Sequence, residues 1–185
     1  HWEAVKWVIR YVKSSLNARS IYLKGASNDN CLVGYAGADF AADLDKRRST
    51  SEYVFTLFQN TISWKSSLQS VVALSTTESE YISLVEAVKE GIWLKGLVNE
   101  LIGCDDIITV YSDSQSAIAL SKNPLYHDRS KHIDIRFHYL REKVLANEIS
   151  LEKIPSSENP ADMLTKSLTS LRTAYLMNLL KVGVG

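Results

Sequence analysis

The stretch VYSDSQSA, residues 110–117, passes from strand-forming to helix-forming residues at one acidic side chain, Asp113. Three other stretches carry an acidic residue at a similar junction: Asp39 in YAGADF, Glu80 in STTESEY and Asp162 in ENPADML. A fold that gathers these junctions brings four carboxylates together, and two Mg²⁺ ions about 4 Å apart require such hard oxygen ligands. The sequence therefore predicts a two-metal site, with Mn²⁺ able to replace Mg²⁺, and phosphodiester hydrolysis as the leading function.

Two of these carboxylates also have a simpler structural interpretation. Asp113 has the position of an N-cap for a helix over residues 114–122, where a short acceptor bonds a free backbone N–H. Asp162 follows Asn159 and Pro160 closely enough to complement the dipole of a helix that starts there. Both roles are compatible with metal binding, because a carboxylate at the start of a helix is also available as a ligand.

The position of Glu80 is ambiguous for a different reason. Thr77-x-x-Glu80 has the form of a capping box, which would turn the Glu80 carboxylate back onto its own backbone. Ser75-x-x-Glu78 has the same form. If Glu78 makes the cap, Glu80 is left to face the sheet.

Length and composition favour a single intracellular domain. The chain has 185 residues, 45% of them hydrophobic, which is enough for one core and an accessory element. No apolar run reaches the roughly 18 residues of a membrane span, and HWEAVKWVIRYVK lacks the apolar region of a signal peptide. Cys31 and Cys104 form no CxxC pair, so we expect two buried apolar thiols in a reducing compartment. With 21 basic and 21 acidic residues, nucleic-acid affinity would have to come from local patches.

Hydrophobic periodicity predicts a regular succession of elements. A helix over residues 1–17 carries an apolar stripe that we expect to pack on the body, and the short strand SIYLKG follows it. From residue 29 onward the order is βββ-α-β-α-α-β-α, an α/β architecture. The predicted strands are CLVGYAGAD, SEYVFTLF, TISWKS, DDIITVY and EISLEKI, and a tight turn at Gln59-Asn60 joins the second to the third. The predicted helices cover about 77–102, 114–122, 130–146, a segment from Asn159, and 170–181. Gly103 is expected to end the first of these helices.

These motifs resemble the ribonuclease H domain of copia-type LTR retrotransposon Pol polyproteins, which follows the reverse transcriptase. Six strings occur in the family's order: HWEAVKWVIRYVK, YAGADFAADLDKRRSTSEYVF, ISWKSSLQSVVALSTTESEY, YSDSQSAI, RSKHIDIRFHYLRE and ENPADMLTKSL. The resemblance covers nearly the whole chain. It implies a ribonuclease H-like fold with a mixed five-stranded sheet, a connection segment over residues 1–28 and a ribonuclease H domain over residues 29–185.

The resemblance also implies an activity. Asp39, Glu80, Asp113 and Asp162 would hold two metal ions and hydrolyse the RNA strand of RNA–DNA hybrids during reverse transcription, leaving 5′-phosphate and 3′-hydroxyl ends. In this scheme one ion activates the attacking water and the other stabilises the leaving oxygen. The expected partners are the hybrid and the polymerase domain of the same polyprotein, in the cytoplasm and inside virus-like particles, with no membrane.

Three positions depart from the family's pattern. Gly37 stands where an acidic or small polar residue is common, Phe40 replaces a frequent Trp, and Glu52 replaces a frequent Gly. None of the three removes a proposed metal ligand. Gly37 and Phe40 flank Asp39, so they affect how that carboxylate is held.

Residues 122–143 are rich in basic side chains and predict a phosphate-contacting surface, although a solvated helix face explains them equally well. The candidate contacts are Lys122, Arg129, Lys131 and Arg136. Cellular ribonucleases H carry an auxiliary histidine near the last catalytic aspartate, and the loop before Asp162 has none. His138 is a candidate substitute, and the spacing of the histidines argues against a zinc site.

Three other functions are consistent with parts of the sequence. One is a catalytically inactive ribonuclease H-like module that binds nucleic acid or supports a polymerase. An integrase or transposase nuclease would need its glutamate late in the chain, and the early Glu80 and late Asp162 argue against it. The third is an interaction domain that does not bind nucleic acid. An absence of hybrid binding at low salt would favour it.

Overall fold

A mixed five-stranded sheet forms the centre of the protein. The computed structural model describes residues 1–24, 31–122 and 131–184. The strands of this sheet, numbered in chain order after a first short strand β1 (Ala18–Ser20), are β2 (Leu32–Asp39), β3 (Thr50–Leu57), β4 (Asn60–Leu68), β5 (Ile108–Ser112) and β6 (Ile149–Lys153). They lie in the order β4-β3-β2-β5-β6, with β2, β3 and β4 antiparallel and β5 parallel to both β2 and β6. The predicted fold class is confirmed.

α-Helices complete the predicted order of elements. They are α1 (Trp2–Ser14), α2 (Thr76–Ile102), α3 (Gln115–Lys122), α4 (Lys131–Leu145) and α5 (Ser170–Leu179). The segment from Asn159, predicted as an α-helix, is instead a short 3-10 helix, Pro160–Leu164, preceded by another over Ser156–Glu158. The tighter turn follows Pro160, and the Asn159 side chain accepts a bond from the Ala161 N–H to cap it.

The core lies between the sheet and α2. Phe55 of β3 and Tyr81, Leu84 and Val88 of α2 are all 1% exposed or less. Gly34 on β2 gives Phe55 its space, because an added Cβ there would lie 2.5 Å from the Phe55 ring. The helix ends at Gly103, whose φ of 70° suits a left-handed C-cap, as the sequence predicts.

The hairpin between β3 and β4 turns one residue earlier than expected. Phe58 and Gln59 both have positive φ, 47° and 65°, and therefore form the two-residue turn, whereas the prediction placed it at Gln59-Asn60. Asn60 already belongs to β4, and its side chain donates to the carbonyl oxygen of Phe58. The Asn60 side chain thus stabilises the turn, in which two successive residues have positive φ. Asn-Gly is the dipeptide that usually favours this conformation.

The N-terminal segment differs from the prediction in two ways. The strand lies at Ala18–Ser20, before most of SIYLKG, and pairs with β7 (Val182–Val184) in a separate antiparallel sheet. Within the described part of the chain, no residue of α1 is buried, and Trp2, Trp7 and Tyr11 are each about two-thirds exposed. The expectation that α1 packs on the body is therefore wrong, because its stripe meets no apolar surface there.

None of the helices among the described residues combines the length and the apolar character needed to span a membrane.

Candidate active site

Asp39 and Asp113 lie at the same edge of the sheet. Strands β2 and β5 are parallel neighbours, with Ala36 opposite Ser112. Asp39 is the last residue of β2, and Asp113 follows β5 directly, so both carboxylates belong to the carboxyl ends of adjacent strands. This is the edge at which parallel sheets present polar groups to ligands.

The cap of α3 is not Asp113. The Ser114 hydroxyl accepts the bond from the Ala117 N–H, which is the capping role that the sequence left open for Asp113. The Asp113 carboxylate instead accepts a hydrogen bond of 2.5 Å from the Ser156 hydroxyl, and its backbone carbonyl accepts one from Lys153. The side chain is thus turned away from its own helix and towards the segment that leads to Asp162.

Glu80 approaches the same edge from α2. The Ser75 hydroxyl accepts from the Glu78 N–H, and the Glu78 carboxylate accepts from the Leu74 N–H, so Glu78 makes the cap. Glu80 instead accepts a hydrogen bond from the backbone N–H of Ala38, next to Asp39. Burial raises the pKa of Glu80 to about 8, and the charge of Asp113 adds to the shift. Oε2 of Glu80 is buried and has no hydrogen-bond partner among the described residues.

Asp162 is the most buried of the four predicted ligands. It is 1% exposed, and its carboxylate forms ion pairs with Lys166 Nζ at 2.6 Å and Arg172 Nη2 at 2.8 Å. Arg172 comes from α5 and also donates to the carbonyl of Ser156. Two cations therefore neutralise Asp162. Its contacts go beyond the interaction with a helix dipole that the sequence suggested.

Lys166 links the separate carboxylates electrostatically. Burial by itself would lower the pKa of Lys166, but the hydrogen bond to Asp162 and the charges of Asp162, Asp113 and Glu52 raise it overall. The same ammonium group lowers the pKa of Glu80. An internal cation thus lies among the acidic groups.

Glu52 is a fifth carboxylate that the sequence reasoning did not assign to the site. It lies on β3 directly opposite Gly37, is 0% exposed, and accepts a hydrogen bond from the Thr165 hydroxyl. Burial raises its pKa to about 7; the Thr165 hydrogen bond opposes this shift, and the charge of Asp162 adds to it. Gly37 and Glu52 were both noted as departures from the family pattern, but only the strand register shows that they face each other.

The donor set fits a divalent cation. The groups at this edge are carboxylates, which are the hard ligands of Mg²⁺ and Mn²⁺, and Glu80 and Glu52 each keep a buried oxygen without a partner in the described chain. In the described part of the chain, no three of these carboxylates have ligand oxygens within 4.8 Å of one another, so they do not form a closed ligand shell. The arrangement is an open acidic cluster with Lys166 among its members.

Comparison with known proteins finds similarity to retrotransposon Pol polyproteins. The Pol polyprotein of transposon TNT 1-94 from Nicotiana tabacum is 50% identical over 166 residues, 90% of this chain and 12% of that protein. The Pol polyprotein of transposon RE2 from Arabidopsis thaliana is 35% identical over the whole chain, again 12% of that protein. No protein-family model matches. The chain is homologous to retrotransposon Pol polyproteins. It spans about an eighth of the length of these curated relatives.

Solved structures give the fold. LC11-RNase H1, isolated from compost by a metagenomic approach, has a TM-score of 0.55 and 18% identity, over 74% of this chain and 93% of that one. The foamy viral protease-reverse transcriptase in complex with double-stranded DNA has a TM-score of 0.54 and 16% identity, over 84% of this chain and 29% of that one. The ribonuclease H fold and the resemblance to Pol polyproteins are both confirmed.

The predicted basic surface of this chain is described only in part. Lys122 is exposed at the end of α3, and His138 is exposed on α4. Arg129 lies outside the described residues. Lys131 and Arg136 lie on the backbone of α4, but their side chains are outside the described part of the protein. Phosphate contacts by these residues remain predictions.

A second group of potential ligands lies at the other end of β2. Among the described residues, Cys31, Cys104 and Asp106 are the one set of three whose ligand atoms lie within 4.8 Å of one another. Cys31 precedes β2 and Asp39 ends it, and an eight-residue strand spans roughly 26 Å, so this group is separate from the carboxylate cluster. Burial raises the pKa of the Cys31 thiol to about 12, which keeps it protonated near neutral pH.

Proposed function

We propose that this chain is a metal-dependent ribonuclease H that hydrolyses the RNA strand of RNA–DNA hybrids. The observation that carries the proposal is the gathering of Asp39, Glu80, Asp113 and Asp162 at one edge of a ribonuclease H fold. The four residues come from four segments that are far apart in the sequence. Homology to retrotransposon Pol polyproteins supports the same activity.

The proposed ligands of two Mg²⁺ or Mn²⁺ ions are Asp39, Glu80, Asp113 and Asp162. When bound, such ions supply an activated water and stabilise the leaving oxygen of a phosphodiester, so the carboxylates need not act as general bases. The protein's own contribution is to fix the carboxylates. The Ala38 N–H positions Glu80, Ser156 positions Asp113, and Lys166 with Arg172 positions Asp162.

The proposed substrate is an RNA–DNA hybrid, recognised by groove shape and 2′-hydroxyls rather than by base sequence. The structural neighbour LC11-RNase H1 is also known in complex with an RNA/DNA hybrid, at 17% identity and a TM-score of 0.53 over 72% of this chain and 92% of that one. A zero net charge requires that binding depend on local groups. Lys122, Arg129, Lys131 and Arg136 are the proposed phosphate contacts. The proposed partner is a reverse transcriptase polymerase domain within the same polyprotein.

The decisive experiment is cleavage of a hybrid labelled on its RNA strand. We expect Mg²⁺-dependent products with 5′-phosphate ends, no cleavage in EDTA, and no cleavage of the same RNA when single-stranded. Asp113→Asn should remove the activity, whereas Asp45→Asn, an exposed loop position, should keep it. Cleavage that persists in EDTA, or an Asp113→Asn variant with unchanged rate, would contradict the proposal.

A catalytically inactive module is the second candidate, and the ion pairs of Asp162 favour it. Lys166 and Arg172 already neutralise this carboxylate, so a metal ion would have to compete with them. The inactive module predicts hybrid binding at low salt without cleavage at any Mg²⁺ or Mn²⁺ concentration. The hybrid assay therefore separates the two functions directly.

A further inference from the structure

Gly37 and Glu52 form a complementary pair across β2 and β3. They are directly opposite in the antiparallel register. A Cβ added to Gly37 would lie 2.8 Å from Oε1 of Glu52 and 3.4 Å from Nδ2 of Asn159. The Glu52 carboxylate therefore occupies the space that a side chain of residue 37 would fill.

The same strand pair repeats this arrangement on its other face. Gly34 is opposite Phe55, and the Phe55 ring fills the space beside Gly34 in the apolar core. Successive strand residues point to alternate faces, so Glu52, three residues before Phe55, points away from α2. On that face it meets Thr165 and Asn159, which belong to the segment around Asp162.

The Glu52 side chain is buried without being fully paired. It is 0% exposed, and Oε2 accepts the Thr165 hydroxyl bond. Oε1 has no hydrogen-bond partner among the described residues, although solvent does not reach it. Buried polar atoms are normally satisfied, so this carboxylate oxygen beside an acidic cluster is available as a ligand for a cation.

Glu52 also belongs electrostatically to the cluster. It interacts with Asp162, Asp39 and Lys166, and with Glu80 on the opposite side of the sheet edge. The Thr165 hydroxyl and the charge of Lys166 account for one side of this carboxylate, and its Oε1 has no such partner among the described residues.

We infer that Glu52 is a ligand of the divalent cation, supplying from β3 the carboxylate that Gly37 cannot supply from β2. This inference rests on the proposed metal-dependent function, because it assigns a further ligand to the same site. Gly37 then has a defined role, which is to leave room for the Glu52 carboxylate beside Asp162. A carboxylate oxygen is the hard donor that Mg²⁺ and Mn²⁺ prefer.

The test measures Mn²⁺ binding to the whole 185-residue chain in the absence of nucleic acid. Two methods report the affinity: isothermal titration calorimetry, and the loss of the electron paramagnetic resonance signal of the free ion. Mn²⁺ prefers oxygen ligands, so the Cys31 and Cys104 thiols contribute little. Glu52→Gln keeps the shape and an acceptor for Thr165 but removes the charge. We expect Mn²⁺ affinity to fall by at least about tenfold, the lower end of the loss seen even for outer-shell partners.

Glu86→Gln is the matched control, because Glu86 lies on α2, is about one-third exposed and pairs only loosely with Lys65 at 3.7 Å. It removes the same charge from the protein and should leave Mn²⁺ affinity unchanged. Circular dichroism and the melting temperature in EDTA confirm that each variant is folded. Wild-type affinity in Glu52→Gln, or an equal loss in Glu86→Gln, would overturn the inference.

A reciprocal exchange tests the position of the carboxylate. Glu52→Gly should lose Mn²⁺ affinity, and the double variant Gly37→Asp with Glu52→Gly should recover it, because the carboxylate returns from the opposite strand. If the double variant folds but binds Mn²⁺ no better than Glu52→Gly does, the inference that Glu52 supplies the missing carboxylate would be overturned.

Metal binding and cleavage separate the two proposals. If wild-type protein binds Mn²⁺ through Glu52 but does not cleave hybrids, the ribonuclease proposal fails and the ligand assignment stands. If wild-type protein does not bind Mn²⁺, the ligand assignment fails.

Discussion

Glu78 and Glu80 show how two neighbouring glutamates come to have different roles. Glu78 caps α2, whereas Glu80 reaches the Ala38 backbone at the sheet edge. Glu80→Gln should lower hybrid cleavage by orders of magnitude, and Glu78→Gln should cost only about 1 kcal/mol of unfolding free energy through a weaker cap. Cleavage rates and melting temperatures of both variants test this pair. The reverse pattern would mean that the catalytic carboxylate is Glu78.

Asp39 ends β2 beside both Glu80 and Glu52, and it is one of the four residues that would hold the proposed metal ions. Asp39→Asn keeps the shape but loses the charge, so cleavage should be abolished while the fold is retained. The Asp45→Asn variant is again the control, because Asp45 lies in the exposed loop after β2. Hybrid cleavage near the wild-type rate in Asp39→Asn would rule out this assignment.

The buried glutamates also predict a dependence of stability on pH. Burial raises the pKa of Glu80 to about 8 and that of Glu52 to about 7, from an ordinary value of 4.5. Between about pH 4.5 and 8 the folded state therefore holds protons that the unfolded state has released, and the free energy of unfolding falls as pH rises. The slope approaches at most about 1.4 kcal/mol per pH unit for each group.

Urea unfolding in EDTA at pH 5, 6, 7 and 8 measures this slope. Glu80→Gln cannot ionise at this position, so its stability should fall less steeply than that of the wild-type protein. Parallel stability curves for the two proteins would show that Glu80 ionises freely in the folded state.

The sequence predicts local residue roles better than long-range ones. The Ser75-x-x-Glu78 pattern correctly allowed Glu78 to cap, because its partners lie within five residues. Glu52 was noted as a departure from the family pattern but not assigned to the site, because its partners, Gly37 and Thr165, lie 15 and 113 residues away. The sequence around a glutamate in a strand does not show whether its side chain is buried. Its exposure depends on the residue opposite it, and here that residue is Gly37, which has no side chain.

At the scale of elements, the residues just after the 3-10 helix and those of α5 together control the charge of the cluster. Lys166 and Arg172 both pair with Asp162, one from just after the 3-10 helix and the other from α5. The sequence predicted the helix at Asn159 but not these pairs, because they depend on how the segment folds back. β1 was likewise displaced, because its pairing with β7 is set by partners 162 to 166 residues away.

If a metal ion binds at this cluster as proposed, the Lys166 ammonium would compete with it for the Asp162 carboxylate. Lys166→Gln should therefore increase Mn²⁺ affinity, because Asp162 loses one of its two cations and the cluster becomes more negative. In EDTA the same variant should melt at a lower temperature, since repulsion between the carboxylates is then less compensated. Lys65→Gln is the control, because Lys65 lies on β4 and pairs with Glu86 outside the cluster. Unchanged or weaker Mn²⁺ binding in Lys166→Gln would show that the lysine positions Asp162 for the metal instead of competing with it.

At the scale of the whole molecule, the chain combines a compact ribonuclease H body with a helix that leaves its apolar residues exposed. The apolar periodicity of residues 1–17 correctly indicated a helix, because periodicity reports which side chains share a face. It could not indicate what covers that face. Exposed apolar patches of this kind are typical of interaction surfaces.

Removing α1 separates its contribution from that of β1. Deletion of residues 1–14 should change the melting temperature by less than about 2 °C, equivalent to under about 1 kcal/mol for a chain of this size, because no residue of α1 is buried on the described body. Light scattering should show less self-association, since Trp2, Trp7 and Tyr11 are removed. Deletion of residues 1–20 also removes β1 and its pairing with β7, and should lower the melting temperature clearly. An equally large decrease in melting temperature on deleting residues 1–14 alone would show that α1 stabilises the body in solution. If the shortened protein is stable but no longer cleaves hybrids, α1 would belong to the nucleic-acid-binding surface.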